Sequence, residues 1–171
     1  GLFEGVVTGA ADGYGRMAGK PAATLLHLGP GLGNGLANLH NARRARTPLV
    51  NIVGDHATYH QQYDVPLQSE IDGVARAVSG WMRTSVRTGD VARDAADAVA
   101  AAMSPPGHVA TLILPADVSW GEGAEPAKPI PPTPRAVVPD DLVDAIAKVL
   151  VSGEPCALLV APVIEPRRVG D

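Results

Sequence analysis

The residues able to do chemistry in this chain are a carboxylate near its start, a run of glycines and a group of histidines and glutamines. Glu4 is flanked by Leu2, Phe3, Val6 and Val7. If that segment is buried, the carboxylate loses hydration and its pKa rises. A carboxyl group held partly neutral can donate a hydrogen bond or exchange a proton with a heteroaromatic ring. If the segment instead opens an exposed helix, the dipole favours the charged form. His27 and His56 could act as acid or base groups, since unperturbed histidine titrates at about 6.5. A satisfied histidine at a strand end is the other reading for His27, and a solvated loop is the other reading for His56 and His60. His56 and His60 at i and i+4 could ligate zinc on a helix, but no third ligand is identifiable in so irregular a stretch.

The glycines of Gly29-Pro30-Gly31-Leu32-Gly33-Asn34-Gly35 invite comparison with nucleotide-binding turns. The dinucleotide pattern needs a third glycine where Asn34 stands, and the P-loop needs a Gly-Lys-Ser/Thr ending that is missing. A helix N-terminus after this turn could hold an anion, and close backbone packing explains the glycines equally well.

These residues need a scaffold, and the hydrophobic pattern supplies one. Residues 4–18 read as a helix rich in small residues, stopped by Gly19-Lys20-Pro21. Ala22 to Leu26 is a short apolar run and reads as a buried strand. Leu32, Leu36 and Leu39 place a helix from about Asn34 to Arg46, ended by Pro48, and Leu49 to Val53 is the next buried strand. Strand, turn, helix, strand is the unit of a parallel sheet. The polar stretch from Gly54 to Gly73 follows a strand's C-terminal end, where ligands bind in open α/β sheets. Asp90 is placed to cap a helix with Val91, Ala95, Ala98, Val99 and Ala102 on one stripe, and Val109 to Leu114 is a further strand. The prolines between Gly121 and Pro139 favour an extended connection. After them an amphipathic helix from Asp140 and a strand from Ala157 to Val160 read as the start of another unit. The expected organisation is therefore an α/β domain over 1–120, a linker over 121–139 and the beginning of a second α/β domain over 140–171.

Composition bounds the partners. The chain has 171 residues, 46% hydrophobic and 19% charged, with a net charge of −4. That composition is globular and predicts no general attraction to nucleic acid or anionic membrane. Arg43, Arg44 and Arg46 form a short basic run that reads as a solvated helix end. Cys156 is the one cysteine, so an intramolecular disulfide and a cysteine zinc framework are excluded. A reducing, cytoplasmic setting fits. No apolar run reaches the ~18 residues that cross a bilayer.

The order and spacing of Glu4, Gly13-Tyr14-Gly15-Arg16, Gly19-Lys20-Pro21, Gly29-Pro30-Gly31 with Asn34, then Pro48 and Gly54 resemble the pyrimidine-binding domain of thiamine diphosphate enzymes. The likeness is to the acetolactate synthase large-subunit group. Gln68 matches that group's Phe-Gln-Glu glutamine if one residue is inserted, and Pro105-Pro106-Gly107 through Leu114-Pro115-Ala116-Asp117-Val118 resembles the domain's closing strand and turn. The resemblance implies that Glu4 hydrogen-bonds N1′ of the cofactor's aminopyrimidine. Proton transfer there favours the imino tautomer, which removes the thiazolium C2 proton and starts attack on a 2-keto acid. It implies Pro30 and Asn34 beside the pyrimidine, with Asn34 as a helix cap the other reading, and Gln68 near the reacting end.

The departures concern the substrate. Where acetolactate synthases show Thr-Ser before Gly-Pro-Gly, this chain has His27-Leu28, and where they show Gly-Gln-Val it has Gly54-Asp55-His56; Trp81 stands where lysine is common. His27 and His56 are thus the candidate substrate-binding residues. The family's magnesium and diphosphate site uses Gly-Asp-Gly and an asparagine pair in another domain; Asn51 is the last asparagine here, so magnesium is expected outside this segment. A flavin, found in some relatives, has no support in it. The family's pyrimidine domain begins with a strand and helix that precede this sequence, so the chain is expected to be an interior piece, inactive alone, of a homodimer or homotetramer. The expected activity is decarboxylation of a 2-keto acid with carboligation, as in branched-chain amino acid biosynthesis. A 2-keto acid decarboxylase or acyl-CoA lyase on the same scaffold, and a noncatalytic binding module, are the alternatives.

Overall fold

The computed structural model describes residues 1–159. Four strands, β1 (Ala22–His27), β2 (Leu49–Asp55), β3 (Trp81–Thr84) and β4 (Val109–Pro115), form one parallel sheet in the order β1-β2-β4-β3. The helices are α1 (Glu4–Ala18), α2 (Leu28–Arg44), α3 (Ile71–Arg76), α4 (Val91–Met103), α5 (Ala116–Trp120) and α6 (Asp140–Leu150). The expected α/β class with a helix-flanked parallel sheet is what the chain forms.

The central strands β2 and β4 are nearly continuous apolar runs because helices cover both their faces. One core joins Leu26, Leu49, Val53, Val109 and Ile113 of the sheet to Ala11 of α1, Leu32 and Leu39 of α2 and Ile71 and Ala75 of α3. Each buried leucine there contributes about 2 kcal/mol relative to exposure. The smaller core on the other face joins Val50 and Ala110 to Ala98 and Ala102 of α4. Edge strand β1 alternates instead, with Leu26 buried and Leu25 exposed.

Register is set by a buried polar row. Thr24, Asn51 and Thr111 are paired across three strands. The Thr24 hydroxyl donates to Asn51 Oδ1 at 2.9 Å, and Asn51 Nδ2 donates to Thr111 Oγ1 at 3.4 Å. A one-residue slip would put these groups against apolar neighbours without partners.

Helices α1 and α2 approach closely because glycines line their contact. Asn38 Nδ2 donates to the Gly5 carbonyl at 2.6 Å, and the Thr8 hydroxyl donates to the Gly35 carbonyl at 3.0 Å. A Cβ at Gly35 would lie 2.9 Å from Thr8 Cγ2. This packing brings the start of α1 beside the start of α2.

The structure corrects several sequence-based expectations. Helix α2 begins at Leu28 and not at Asn34, so Gly29 to Gly35 are helical rather than a turn. Pro30 fits in the first turn because amide groups there have no carbonyl partner to lose. Gly29 is required by contact with the next loop, since a Cβ there would fall 2.2 Å from the Ser69 side chain. Asp90 occupies the N-cap position of α4 but its side chain makes no capping bond. Strand β3 and helix α3 were not expected. β3 is a short edge strand whose Arg83 bonds Asp94 and Asp97 of α4 at 2.7 and 2.6 Å, and a charge in four residues hides the strand pattern. Between α5 and α6 no helix or strand forms, and α6 is exposed along its length. The expected strand from Ala157 to Val160 is not formed at 157–159, and Val160 lies outside the described residues. No helix among the described residues is long and apolar enough to cross a membrane.

Candidate functional site

Parallel topology places the C-terminal ends of all strands on one edge, and that edge collects the chemistry. His27 ends β1 beside Gly54 of β2, and Asp55 lies beside Pro115 of β4. Helix α2 starts from this edge directly after His27. Helix α1 runs toward the start of β1, so its own first residue, Glu4, returns to the same edge. Two helix N-termini, each carrying partial positive charge, therefore meet where the carboxylate sits.

The contacts around Glu4 are specific. Asn34 Nδ2 donates to Glu4 Oε2 at 3.1 Å. The position of a Cβ on Gly31 is 3.5 Å from Glu4 Oε1 and 3.5 Å from His27 Cβ. Glu4, His27, Gly31 and Asn34 thus form one cluster, and the bare Gly31 backbone leaves the carboxylate uncovered. Asn34 lies within α2 and does not cap it.

The expectation of a raised Glu4 pKa is overturned for this chain by itself. The flanking residues Leu2, Phe3 and Val6 are at the surface, so the desolvation that raises it is outweighed by donors. Its carboxyl is held below the ordinary glutamate value, first by a backbone N–H at the helix start, then by the Asn34 amide, with the His27 charge adding less.

Leu28 is a member of the site that the sequence did not flag. It is buried and holds a φ of 56°, a left-handed conformation that leucine adopts only when its surroundings impose it. That backbone turn lets β1 pass directly into α2 and leaves His27 exposed at the edge. Pro30, one turn along, is also exposed.

The other expected site residues serve the loop between β2 and α3. Gln68 Nε2 donates to the Gln61 carbonyl at 2.7 Å, and its Oε1 accepts from the Val65 N–H at 3.2 Å. His56 Nε2 meets the Pro66 carbonyl at 3.1 Å. Asp55, which the sequence reading passed over, accepts from the His56 N–H at 2.7 Å and from Gln61 Nε2 at 3.0 Å. The hydrogen bonds of Gln68 and His56 therefore run within this loop and not to Glu4. A signal for Asp55 was available: an aspartate ending a buried strand has backbone donors immediately ahead of it.

The loop is also tied to the start of α5. Asp117 accepts from the Thr58 N–H at 3.0 Å and from the Thr58 hydroxyl at 2.5 Å. These bonds hold its carboxyl below the ordinary aspartate value. A carboxylate lowered in the folded state stabilises the fold above its unfolded pKa, and that contribution is lost as pH falls through the folded pKa. Acid should therefore lower the melting temperature across the range below the ordinary carboxylate value. Asp117→Asn is expected to make that decline shallower when melting is followed against pH. An unchanged slope would remove Asp117 from the account.

A thiamine cofactor's aminopyrimidine fits this donor set. An uncovered carboxylate stands at the edge, a second side chain orients it, and glycine leaves room above it. Among the described residues no group of three His, Cys, Asp or Glu side chains could hold a metal ion.

Comparison with known proteins gives consistent results. Residues 2–76 match the family described as "Thiamine pyrophosphate enzyme, N-terminal TPP binding domain". The chain is 62% identical over 159 residues to the "Putative acetolactate synthase large subunit IlvX" of Mycobacterium tuberculosis, covering 93% of this chain and 30% of that protein. It is 32% identical over 125 residues to the benzoylformate decarboxylase of Pseudomonas aeruginosa, covering 72% of this chain and 24% of that protein. Among solved structures, the thiamine diphosphate-dependent 4-hydroxybenzoylformate decarboxylase of Rhodococcus jostii superposes with a TM-score of 0.76 at 27% identity, covering 89% of this chain and 30% of that one. The chain thus spans less than a third of the length of these relatives. The match over 2–76 contains Glu4, His27, Gly31 and Asn34, and the sheet and helices that hold them have the relatives' architecture: the chain belongs to the thiamine diphosphate-dependent enzymes and carries their N-terminal cofactor-binding domain.

Proposed function

We propose that this chain is the pyrimidine-binding part of an acetolactate synthase-like enzyme that decarboxylates a 2-keto acid and joins the resulting acyl unit to a second carbonyl. The observation that carries the reading is the Glu4 carboxylate, oriented by Asn34 at the sheet edge where His27 also lies. When bound, thiamine diphosphate supplies the electron sink for loss of carbon dioxide. Glu4 holds the proton at the pyrimidine nitrogen, Asn34 fixes the carboxylate's direction, and Pro30 borders the ring. His27 faces the 2-keto acid, with Gln68 and His56 on the loop beyond it. The 62% identity to the mycobacterial protein supports this assignment over the others.

Magnesium and the diphosphate belong, in this proposal, to another domain of the complete polypeptide. Residues 121–139 act as its linker and α6 opens its next domain. The surface of α1 carries Val6, Tyr14 and Met17 exposed in one stripe, which supports an oligomer in which another subunit covers Glu4. A cytoplasmic location goes with this reading.

A second reading, simple decarboxylation of an aromatic 2-keto acid, is favoured by His27 where acetolactate synthases show Thr-Ser, and by the likeness to two benzoylformate-type decarboxylases. Product analysis separates the two. The complete enzyme supplied with cofactor, magnesium and pyruvate is expected to form acetolactate. Release of aldehyde alone, with faster turnover of benzoylformate, would replace the first reading by the second.

A further inference from the structure

The connections on the opposite, N-terminal edge of the sheet border a half-open cleft of about 310 Å³. Its walls come from the end of α1, the segment entering β2 and the segment entering β4. Pro48, Ala102, Met103 and Pro106 give it an apolar surface, and Arg16, Arg46 and Arg135 line it. Arg135 reaches it from the 121–139 segment, which is fastened nearby where the Thr133 N–H donates to Ser104 Oγ at 2.9 Å.

Arginines at this edge would ordinarily answer the carbonyl groups of helix C-termini. Here backbone N–H groups answer most of those at the ends of α2 and α4 and the Gly15 carbonyl of α1. Gly19 N–H bonds the Gly15 carbonyl at 3.1 Å, Ala45 N–H the Asn41 carbonyl at 2.9 Å, Thr47 N–H the Ala42 carbonyl at 2.9 Å and His108 N–H the Ala102 carbonyl at 3.1 Å. Asp12 takes Arg16 Nε and Nη2 at 2.9 and 2.7 Å and the Thr47 hydroxyl at 2.7 Å, so it orients Arg16 and occupies Thr47. Arg46 stands on a backbone turn with φ of 58°.

We propose that this cleft binds a small organic anion, a carboxylate on a compact apolar body. Arg46 and the oriented Arg16 meet the carboxylate, and the proline and alanine wall takes the body. A volume at the lower end of ligand pockets, about 300–1,000 Å³, suits a ring or branched chain. The site lies at the far edge from Glu4 and stands independently of the cofactor reading.

The test titrates the full chain with sodium benzoate, with neutral benzamide and with inorganic phosphate, followed by calorimetry and backbone amide NMR. Benzoate should bind saturably with shifts concentrated at 45–48 and 102–107, and benzamide and phosphate should each bind at least about tenfold more weakly. Arg46→Gly removes the guanidinium at a position whose backbone suits glycine. It should melt no lower than the wild type and lose about tenfold in benzoate affinity. The proposal fails if benzoate does not saturate below about 10 mM, if benzamide or phosphate binds as well, if Arg46→Gly binds unchanged, or if the shifts fall at the Glu4 edge.

Discussion

Glu4→Gln in the complete enzyme is expected to slow exchange of the cofactor's C2 proton by about 10²–10⁴-fold, the range that one positioned acid or base group supplies. The same change should leave the fold of this chain almost untouched. Glutamine keeps an oxygen to accept the Asn34 amide, which bonds Glu4 at 3.1 Å, and the position is not buried. Its effect on unfolding should stay within about 0.5 kcal/mol, as for surface substitutions. The readings that settle the matter are hydrogen–deuterium exchange at C2 and a denaturant melt of the same variant. Exchange at the wild-type rate would end the catalytic assignment, whatever the melt shows.

The direction of the Glu4 pKa adds a second readout. In this chain alone backbone and Asn34 donors lower it. Cover by another subunit would desolvate the carboxyl, which acts in the opposite direction. Carbonyl-carbon NMR should therefore find a titration midpoint below the ordinary glutamate value in the isolated chain and a higher one in the assembled, cofactor-loaded enzyme.

Gly107→Ala should be the most damaging single methyl group for stability. Gly107 holds a φ of 102°, and a Cβ there would sit 2.1 Å from the Arg46 carbonyl oxygen. The conformation costs an L residue about 1–3 kcal/mol and the overlap adds about as much. A loss of about 3–5 kcal/mol is comparable with the lower end of whole-domain stabilities, roughly 5–15 kcal/mol. Gly13→Ala is the control, because no atom lies within 4 Å of its added Cβ and its backbone is helical. That change should stabilise by about 0.5–1 kcal/mol. Denaturant midpoints measured for both would show the contrast, and equal midpoints would contradict the packing described between the two connections.

The residues most readable from the sequence were those whose role is local. The small-residue helix ending at Gly19 and Pro21 was legible because a left-handed glycine, φ 62°, does end α1. The apolar runs at 49–53 and 109–114 were legible because strands buried on both faces need little else; the run at 22–26 was legible as a strand, but it lies at the edge of the sheet with Leu25 exposed. The run from Gly29 to Gly35 misled for a physical reason. Glycine and proline ordinarily interrupt helices, but here Ser69 crowds Gly29 and Thr8 crowds Gly35 from outside α2, and only the folded chain shows which positions must lack side chains. β3 was hidden because an edge strand can carry Arg83 and still pair.

The candidate site divides in the same way. Residue types and spacing brought Glu4, Asn34 and His27 to notice through the family resemblance, and sequence order alone determined that a strand and two helix starts would share one edge of a parallel sheet. Tertiary structure decided how Glu4 is held: half-buried, charged and bonded to Asn34, since Leu2, Phe3 and Val6 beside it are at the surface and the helix start and Asn34 supply donors. It also decided that Gln68 and His56 spend their hydrogen bonds inside their own loop, and that an arginine-lined cleft forms on the far edge. Such outcomes depend on contacts between residues distant along the chain, and spacing in a sequence carries no record of which side chain reaches a given hydrogen-bond partner first.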